Sequence, residues 1–437
     1  MKIVCATVAA LAFAGSAGAD TINVPAGGDI QAAINGASDG DIIQLEAGGY
    51  FPSATIDTLG KAVTLRGVPG KGKGDAPTTV IDGQDSIRVL ICENEETALT
   101  VFENLMITGG LADGDSPDNR GGGMYNEYYS SPTLIDCTFE GNSAVDGGGM
   151  YNEFNSSPTL SDCTFTGNSA DDFGGGMSND RGSPTLTGCT FEGNSADDDG
   201  GGMANLGFSS PTLSGCTFTG NLAADEGGGM YNEYWSSPTL TNCTFTGNSA
   251  GYGGGMRNYS NSSPTLTGCT FTGNSSDGGG GGMRNAQGSS PTLTDTTVCN
   301  NTPDQVKGPW TDQGGNCISE SCSPDCFCEN DQDGDGICDE DDQCPGEPDI
   351  DSDGDGVVDC LDGCPTDPAK TAPGQCGCNE IDTGIAGDFD CDGDFDADDY
   401  AAMGTELGVC AGDINGDGIV DGADMGLLLG AWGPCMP

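Results

Sequence analysis

GGGMYNEYYSSPTLIDCTFEGN, residues 121–142, decides the fold, because the chain writes a close version of it seven times. The motif methionines are Met124, Met150, Met177, Met203, Met230, Met256 and Met283, in alternating steps of 26 and 27 residues, and each is followed two positions later by Asn. A unit that short cannot bury an apolar face by itself, so it must stack on its neighbours as one coil of a solenoid. Cys137 and Phe139 share parity and point to one face of a strand, a register that returns in each copy up to Cys269 and Phe271. The last copy has Thr296 and Val298 there, as an atypical end coil should.

The other fixed positions have backbone explanations. Asn142, Asn168, Asn194, Asn221, Asn248, Asn274 and Asn301 follow the aromatic position by three and predict an amide ladder at a bend. The triple glycines predict tight corners with positive φ, and Pro132 and its equivalents set the entry to the next strand. No lysine or helix follows the glycines, which argues against a phosphate cradle. Coils ~4.8 Å apart hold stacked Cβ atoms farther apart than the ~3.8 Å of a disulfide. The cysteine ladder is therefore expected to be buried free thiols acting as small hydrophobes.

The paired GGGM(Y) and CTFxGN signals resemble the repeats of chlamydial polymorphic outer membrane proteins. The opening GDIIQLEAGGY and VTLRG resemble the first turns of pectate-lyase-like β-helices. These resemblances imply an all-β solenoid, a right-handed parallel β-helix displayed outside the cell, often adhesive, with about one coil per 26–27 residues. A leucine-rich-repeat horseshoe is the alternative, opposed by the second strand-like GGGMYN segment and by the lack of a helical stretch. Asp29 is expected to cap a short helix carrying Ile30, Ala33 and Ile34, covering the open end of the stack.

Residues 1–19 read as a cleaved signal peptide. The predicted layout continues with a cap and irregular coils (20–118), repeat coils (119–303) and a Cys-rich junction (304–328). Export makes disulfides permissible, and Cys299, Cys317, Cys322, Cys326 and Cys328 are expected to form a disulfide knot in preference to a zinc site. The formal net charge is −56. After Pro324 stand 31 of the 68 acidic residues and a single basic one, Lys370. With no basic face, nucleic acid is not a partner, and no stretch has the ~20 apolar residues of a membrane span.

Within that acidic segment Asp331, Asp333, Asp335, Asp339 and Asp342 are repeated in spacing by Asp351, Asp353, Asp355, Asp359 and Asp362. Alternating carboxylates around a glycine turn supply the oxygen ligands that Ca²⁺ requires. The two copies (329–378) resemble thrombospondin type 3 repeats. Asp388, Asp390, Asp392, Asp396 and Asp399 form a third loop, and Asp413, Asn415, Asp417, Asp421 and Asp424 a fourth, each leading into an apolar helix candidate. This module (379–437), small, α-helical and EF-hand-like, resembles a type I dockerin, which implies Ca²⁺ as cofactor and a cohesin-like scaffold as partner.

Chemistry is less legible. The chain has no histidine, which removes Ser-His-Asp and Cys-His arrangements. Arg257 and Arg284, at one repeat position on successive coils with Arg181 near in register, are candidates for the base of a lyase assisted by Ca²⁺. Their competing reading is an exposed outward row continuing Tyr125, Tyr151 and Tyr231. Asp136 and Asp162, and Glu127, Glu153 and Glu233, recur as carboxylates, yet none is set apart from the repeat as a glycosidase pair would be. The resulting expectation is a secreted, calcium-binding surface β-helix for adhesion or for glycan or protein contact, anchored by its tail. The alternative is a secreted polysaccharide lyase or glycoside hydrolase.

Overall fold

The computed structural model describes residues 19–72 and 76–322, with Ser352 and Thr366. The calcium ligands expected from Asp331 to Asp424, the dockerin-like module and residues 1–18 lie outside the described residues.

The first six repeats each make four short strands, the fourth typified by Ser143–Asp146, and the seventh makes three; like strands pair in parallel with zero offset from coil to coil. The strand carrying leucine joins a 12-stranded sheet running from Thr21–Val24 to Thr311–Asp312. The strand carrying methionine joins a 10-stranded sheet from Ile56–Asp57 to Val306–Lys307. Phenylalanine strands such as Thr138–Glu140 and Thr164–Thr166 form the third side. The result is a right-handed parallel β-solenoid of about 10 turns. Among the described residues the single helix is Ile30–Gly36, whose N-cap Asp29 accepts a bond from the Ala32 N–H. A solenoid with parallel strand stacks on every side and no helix in its repeat excludes the horseshoe. Strands Val306–Lys307, Thr311–Asp312 and Cys317–Ser319 add one more coil within the junction segment.

Alternation sends Leu, Met or Phe inward, with β-branched Thr on the other parity in the leucine and phenylalanine strands. Leu134, Met124 and Phe139 and their equivalents are all fully buried. The rings of Phe139, Phe165, Phe191, Phe218, Phe245 and Phe271 stack nearly parallel, with centroids 4.4–4.8 Å apart. The cysteines of this ladder are free and buried. The Cys137 thiol donates to the Ile135 carbonyl at 3.4 Å. A disulfide does occur at the junction, between Cys299 and Cys322.

The corners are held by two asparagine ladders. In the first, the Asn168 amide oxygen accepts both the backbone N–H and the side-chain N–H of Asn142 at 3.0 Å, while Asn168 donates to Phe139 O. The pattern repeats to Asn301, where Gln305 supplies the last oxygen. The second runs from Asn126 to Asn285, each side-chain N–H donating to the next oxygen at 2.8–2.9 Å. Its two end atoms, Asn126 Oδ1 and Asn285 Nδ2, have no hydrogen-bond partner.

Glycine is obligatory where the corner meets the following coil. A Cβ on Gly122 would lie 2.3 Å from Ser143 O, and one on Gly123 would lie 2.5 Å from Gly149 O, while Gly121 adopts φ +62°.

At the N-terminal end Lys61 Nζ donates to the carbonyls of Ile34, Asn35 and Ala37, placing a cation on the helix C-terminus.

Asn221→Ala would strand two donors of Asn194 and remove the bond to Phe191 O. At ~1 kcal/mol per net bond and ~1–3 kcal/mol for a buried orphan, a loss of about 2–4 kcal/mol is expected, read as lowered hydrogen-exchange protection at the 194 and 221 corners. Thr219→Ala on the outer face should leave protection unchanged.

Candidate functional site

One repeat position does not repeat. The residue before the first six triple glycines is Arg120, Asp146, Phe173, Asp199, Glu226 or Tyr252, with Gly279 before the seventh, and the six pair in parallel from coil to coil as one column along the rim of the methionine sheet. Asp199 and Glu226 are neighbours in it, both half-buried. The Glu226 N–H donates to Asp199 Oδ1 at 2.9 Å. Burial, followed by the Glu226 charge, pushes the Asp199 carboxyl up to about 7. Glu226 Oε1 lies 3.1 Å from Arg257 Nη2, and the guanidinium of Arg257 rests over the Tyr259 ring, 4.8 Å from its centroid. Tyr231 pairs with Arg257 in the sheet, and burial followed by the Asp199 charge raises its hydroxyl.

A second cluster occupies the earlier coils. Arg120 Nη1 lies 2.6 Å from Glu153 Oε2, which also accepts the Tyr125 hydroxyl at 2.9 Å. Arg120 Nε is 3.8 Å from Asp146 Oδ2. Burial pushes Asp146 up to about 6 even with Arg120 opposing it. Chemically, the Asp199–Glu226 pair is the more informative of the two. One carboxyl keeps a proton near neutrality while the adjoining one carries an ion pair, the division of roles that acid–base catalysis needs.

On the opposite rim, several of the turns after the methionine strands display aromatic rings. Tyr128, Tyr129, Phe208, Tyr234 and Trp235 are exposed, and the Tyr128 ring stacks on Phe154 at 5.7 Å. All six have positive φ, a conformation costing bulky residues ~1–3 kcal/mol. An open groove of about 700 Å³ runs between Asp180, Arg181, Leu206, Phe208, Tyr234 and Trp235.

The model for the family described as "Right handed beta helix region" matches residues 78–237 and 179–331. The chain belongs to the right-handed β-helix family. No curated protein matches it in sequence. Similar solved structures include the pectate lyase Pel9A, at 15% identity and TM-score 0.40, covering 74% of this chain and 88% of that one. Another is a mannuronic acid specific polysaccharide family 6 lyase from human gut microbiota, at 12% identity and TM-score 0.39, covering 66% of each chain. A third is the Dettilon tailspike protein, at 12% identity and TM-score 0.26, covering 68% of this chain and 62% of that one. Identities this low carry nothing of those proteins' chemistry to this β-helix.

The β-helix corrects one reading of its arginines. Tyr125, Tyr151, Tyr231 and Arg257 are not an exposed outward row; each is at most 3% exposed. Arg88 lies over the Tyr125 ring and Arg120 over the Tyr151 ring, so the rim side chains roof the sheet. Arg284 is half-buried, donates to Gly278 O and sits over Tyr252. Arg181 alone of the three is exposed, beside Asp180 at 3.4 Å. Asp136 and Asp162 occupy a corner with φ +50° that other coils fill with glycine or asparagine, so their recurrence has a turn explanation. Glu127 and Glu153 are buried and Glu233 is half-buried. Among the described residues no group of three or more His, Cys, Asp or Glu side chains could hold a metal ion.

Sequence reasoning missed both the Asp199–Glu226 pair and the turn row. The signal was variation at a fixed repeat position, visible once the coils are aligned. A pH experiment tests the first. Unfolded Asp199 titrates near 3.8 and folded Asp199 at about 7, so the folded form holds the extra proton between these values and loses stability as pH rises through that window. Asp199→Asn should therefore melt above the parent at pH ~8, with the gap closing below pH ~4; a gap independent of pH in calorimetry would contradict the assigned titration.

Proposed function

We propose that this β-helix is a carbohydrate-active protein that hydrolyses a polysaccharide, with Asp199 as general acid and Glu226 as its partner carboxylate. The observation that carries the reading is the pair itself, one carboxyl protonated near neutrality and the other ion-paired to Arg257, on adjoining coils of a half-open rim. Asp199 would donate its proton to the glycosidic oxygen as that bond breaks and Glu226 bonds the anomeric carbon; water, giving its proton back to Asp199, would then hydrolyse the glycosyl ester and free Glu226. Coils ~4.8 Å apart suit the ~5–5.5 Å carboxyl separation of a retaining hydrolase better than the ~6.5–9.5 Å of an inverting one. Lyase chemistry is less well supported, because Arg257 is tied to Glu226 and Arg284 to Gly278 O.

The assay is incubation of full-length protein with neutral glycans and polyuronates, following new reducing ends and unsaturated products. Reducing ends without unsaturation are expected, with activity falling above pH ~7 as the acid loses its proton, and Asp199→Asn and Glu226→Gln each lowering kcat by at least about 100-fold. Unsaturated products would revive the lyase reading. Binding without turnover would leave the non-catalytic adhesin.

Export and anchoring complete the proposal. The oxygen-rich donor sets at Asp331–Asp362 and Asp388–Asp424 suit Ca²⁺, which would order the tail for docking on a cohesin-like surface protein. Titration calorimetry with Ca²⁺ should register binding, and a chelator should open residues 330–437 to protease while the coils stay resistant. Equal protection with and without the metal would overturn this part.

A further inference from the structure

The turn row takes no part in the acid–base pair, and the coil does not dictate its composition. Asn155, Asn261 and Gly288 show what the second turn position requires: a residue that tolerates φ between +64° and +80°. At the same position, with φ of +64°, +71° and +65°, other coils carry Tyr129, Phe208 and Trp235, each more than half exposed. A ring in that place gives the coil nothing that asparagine does not. Its use lies outside the coil.

The platform is rigid. The Tyr129 N–H donates to Phe154 O at 3.2 Å, the Phe208 N–H to Tyr234 O at 2.9 Å and the Trp235 N–H to Ser260 O at 3.1 Å. The rings are thus presented at multiples of the ~4.8 Å coil spacing, on the order of one sugar ring in an extended chain. Flat aromatic faces bind the apolar C–H faces of sugars at little conformational cost. Charge then chooses among glycans. The half-buried Asp180 and Glu233 stand beside the row, in a segment (20–324) with 37 acidic and 10 basic residues, and Arg181 is the one basic residue in the row itself. Such a field repels a polyuronate and accepts a neutral chain, whose hydroxyls can donate to the carboxylates.

We infer that the turn row from Tyr128 to Trp235 is a binding platform for an extended neutral polysaccharide, whose sugar faces stack on the exposed rings. The inference rests on the carbohydrate-active reading above and names its substrate class.

Full-length Asp199→Asn, in which turnover is blocked, is titrated calorimetrically with soluble arabinoxylan, mixed-linkage β-glucan, galactomannan and polygalacturonate. At least one neutral glycan should bind and polygalacturonate should not. Adding Tyr129→Asn, Phe208→Asn and Trp235→Asn, which install a residue two sister turns already use, should weaken that binding at least about tenfold without lowering the melting temperature. Undiminished affinity in the triple variant, preference for polygalacturonate, or no neutral ligand would each overturn the platform. If the parent cleaves nothing yet binding depends on the rings, hydrolysis falls and the platform stands. Cleavage by the triple variant at unchanged KM sinks the platform alone.

Discussion

Everything in this molecule follows from how closely one coil's corner approaches the next. Backbone of Gly122 and Gly123 runs against the carbonyls of Ser143 and Gly149 with no room for a Cβ. That contact lets the methionine strands pair without offset. Once the offset is zero, every side chain meets its own counterpart, and stacks of Phe, Leu, Cys and Asn become unavoidable. The asparagines turn this to advantage: each amide both donates and accepts, so a column of identical residues satisfies the corner N–H groups that no strand can reach. A column of lysine or aspartate in that buried place would repel itself, which is why the interior is neutral and the charge lies outside.

The invariant positions were legible in the sequence for the same reason. Parity placed Cys137 and Phe139 inside, spacing placed Asn142 at a bend, and the geometry of stacked Cβ atoms kept the cysteine ladder reduced. Asp29 capped its helix as its side chain requires. What could not be read was the fate of the outward side chains. Parity says only that Tyr125 and Arg257 point away from the core; it does not say that Arg88 will lie over the Tyr125 ring or that Arg257 will fold over Tyr259 beside Glu226. Nor does an average over repeats reveal Asp199 or Phe208, because consensus discards the positions at which coils disagree. In a solenoid the agreement between copies builds the rod, and the disagreement carries whatever chemistry the rod displays.

The roofed face also concentrates imperfect satisfaction. Arg120 Nε, Asp146 Oδ1, Ser178 Oγ and Arg257 Nε are buried without hydrogen-bond partners, four of the eight such atoms among the described residues. Native interiors keep few of these groups, and here half of them gather around the variable column and the methionine strands beside it. The interior ladders supply the rigidity that tolerates it.

The second asparagine column ends with one unmatched oxygen at Asn126 and one unmatched nitrogen at Asn285. Lengthening such a column by a coil adds a bond and creates no new loose end, so the penalty of termination is fixed while the gain grows with copy number. Gene duplication of a single 26- or 27-residue unit is therefore energetically downhill, and rod length becomes a quantity that recombination can adjust without redesigning the fold.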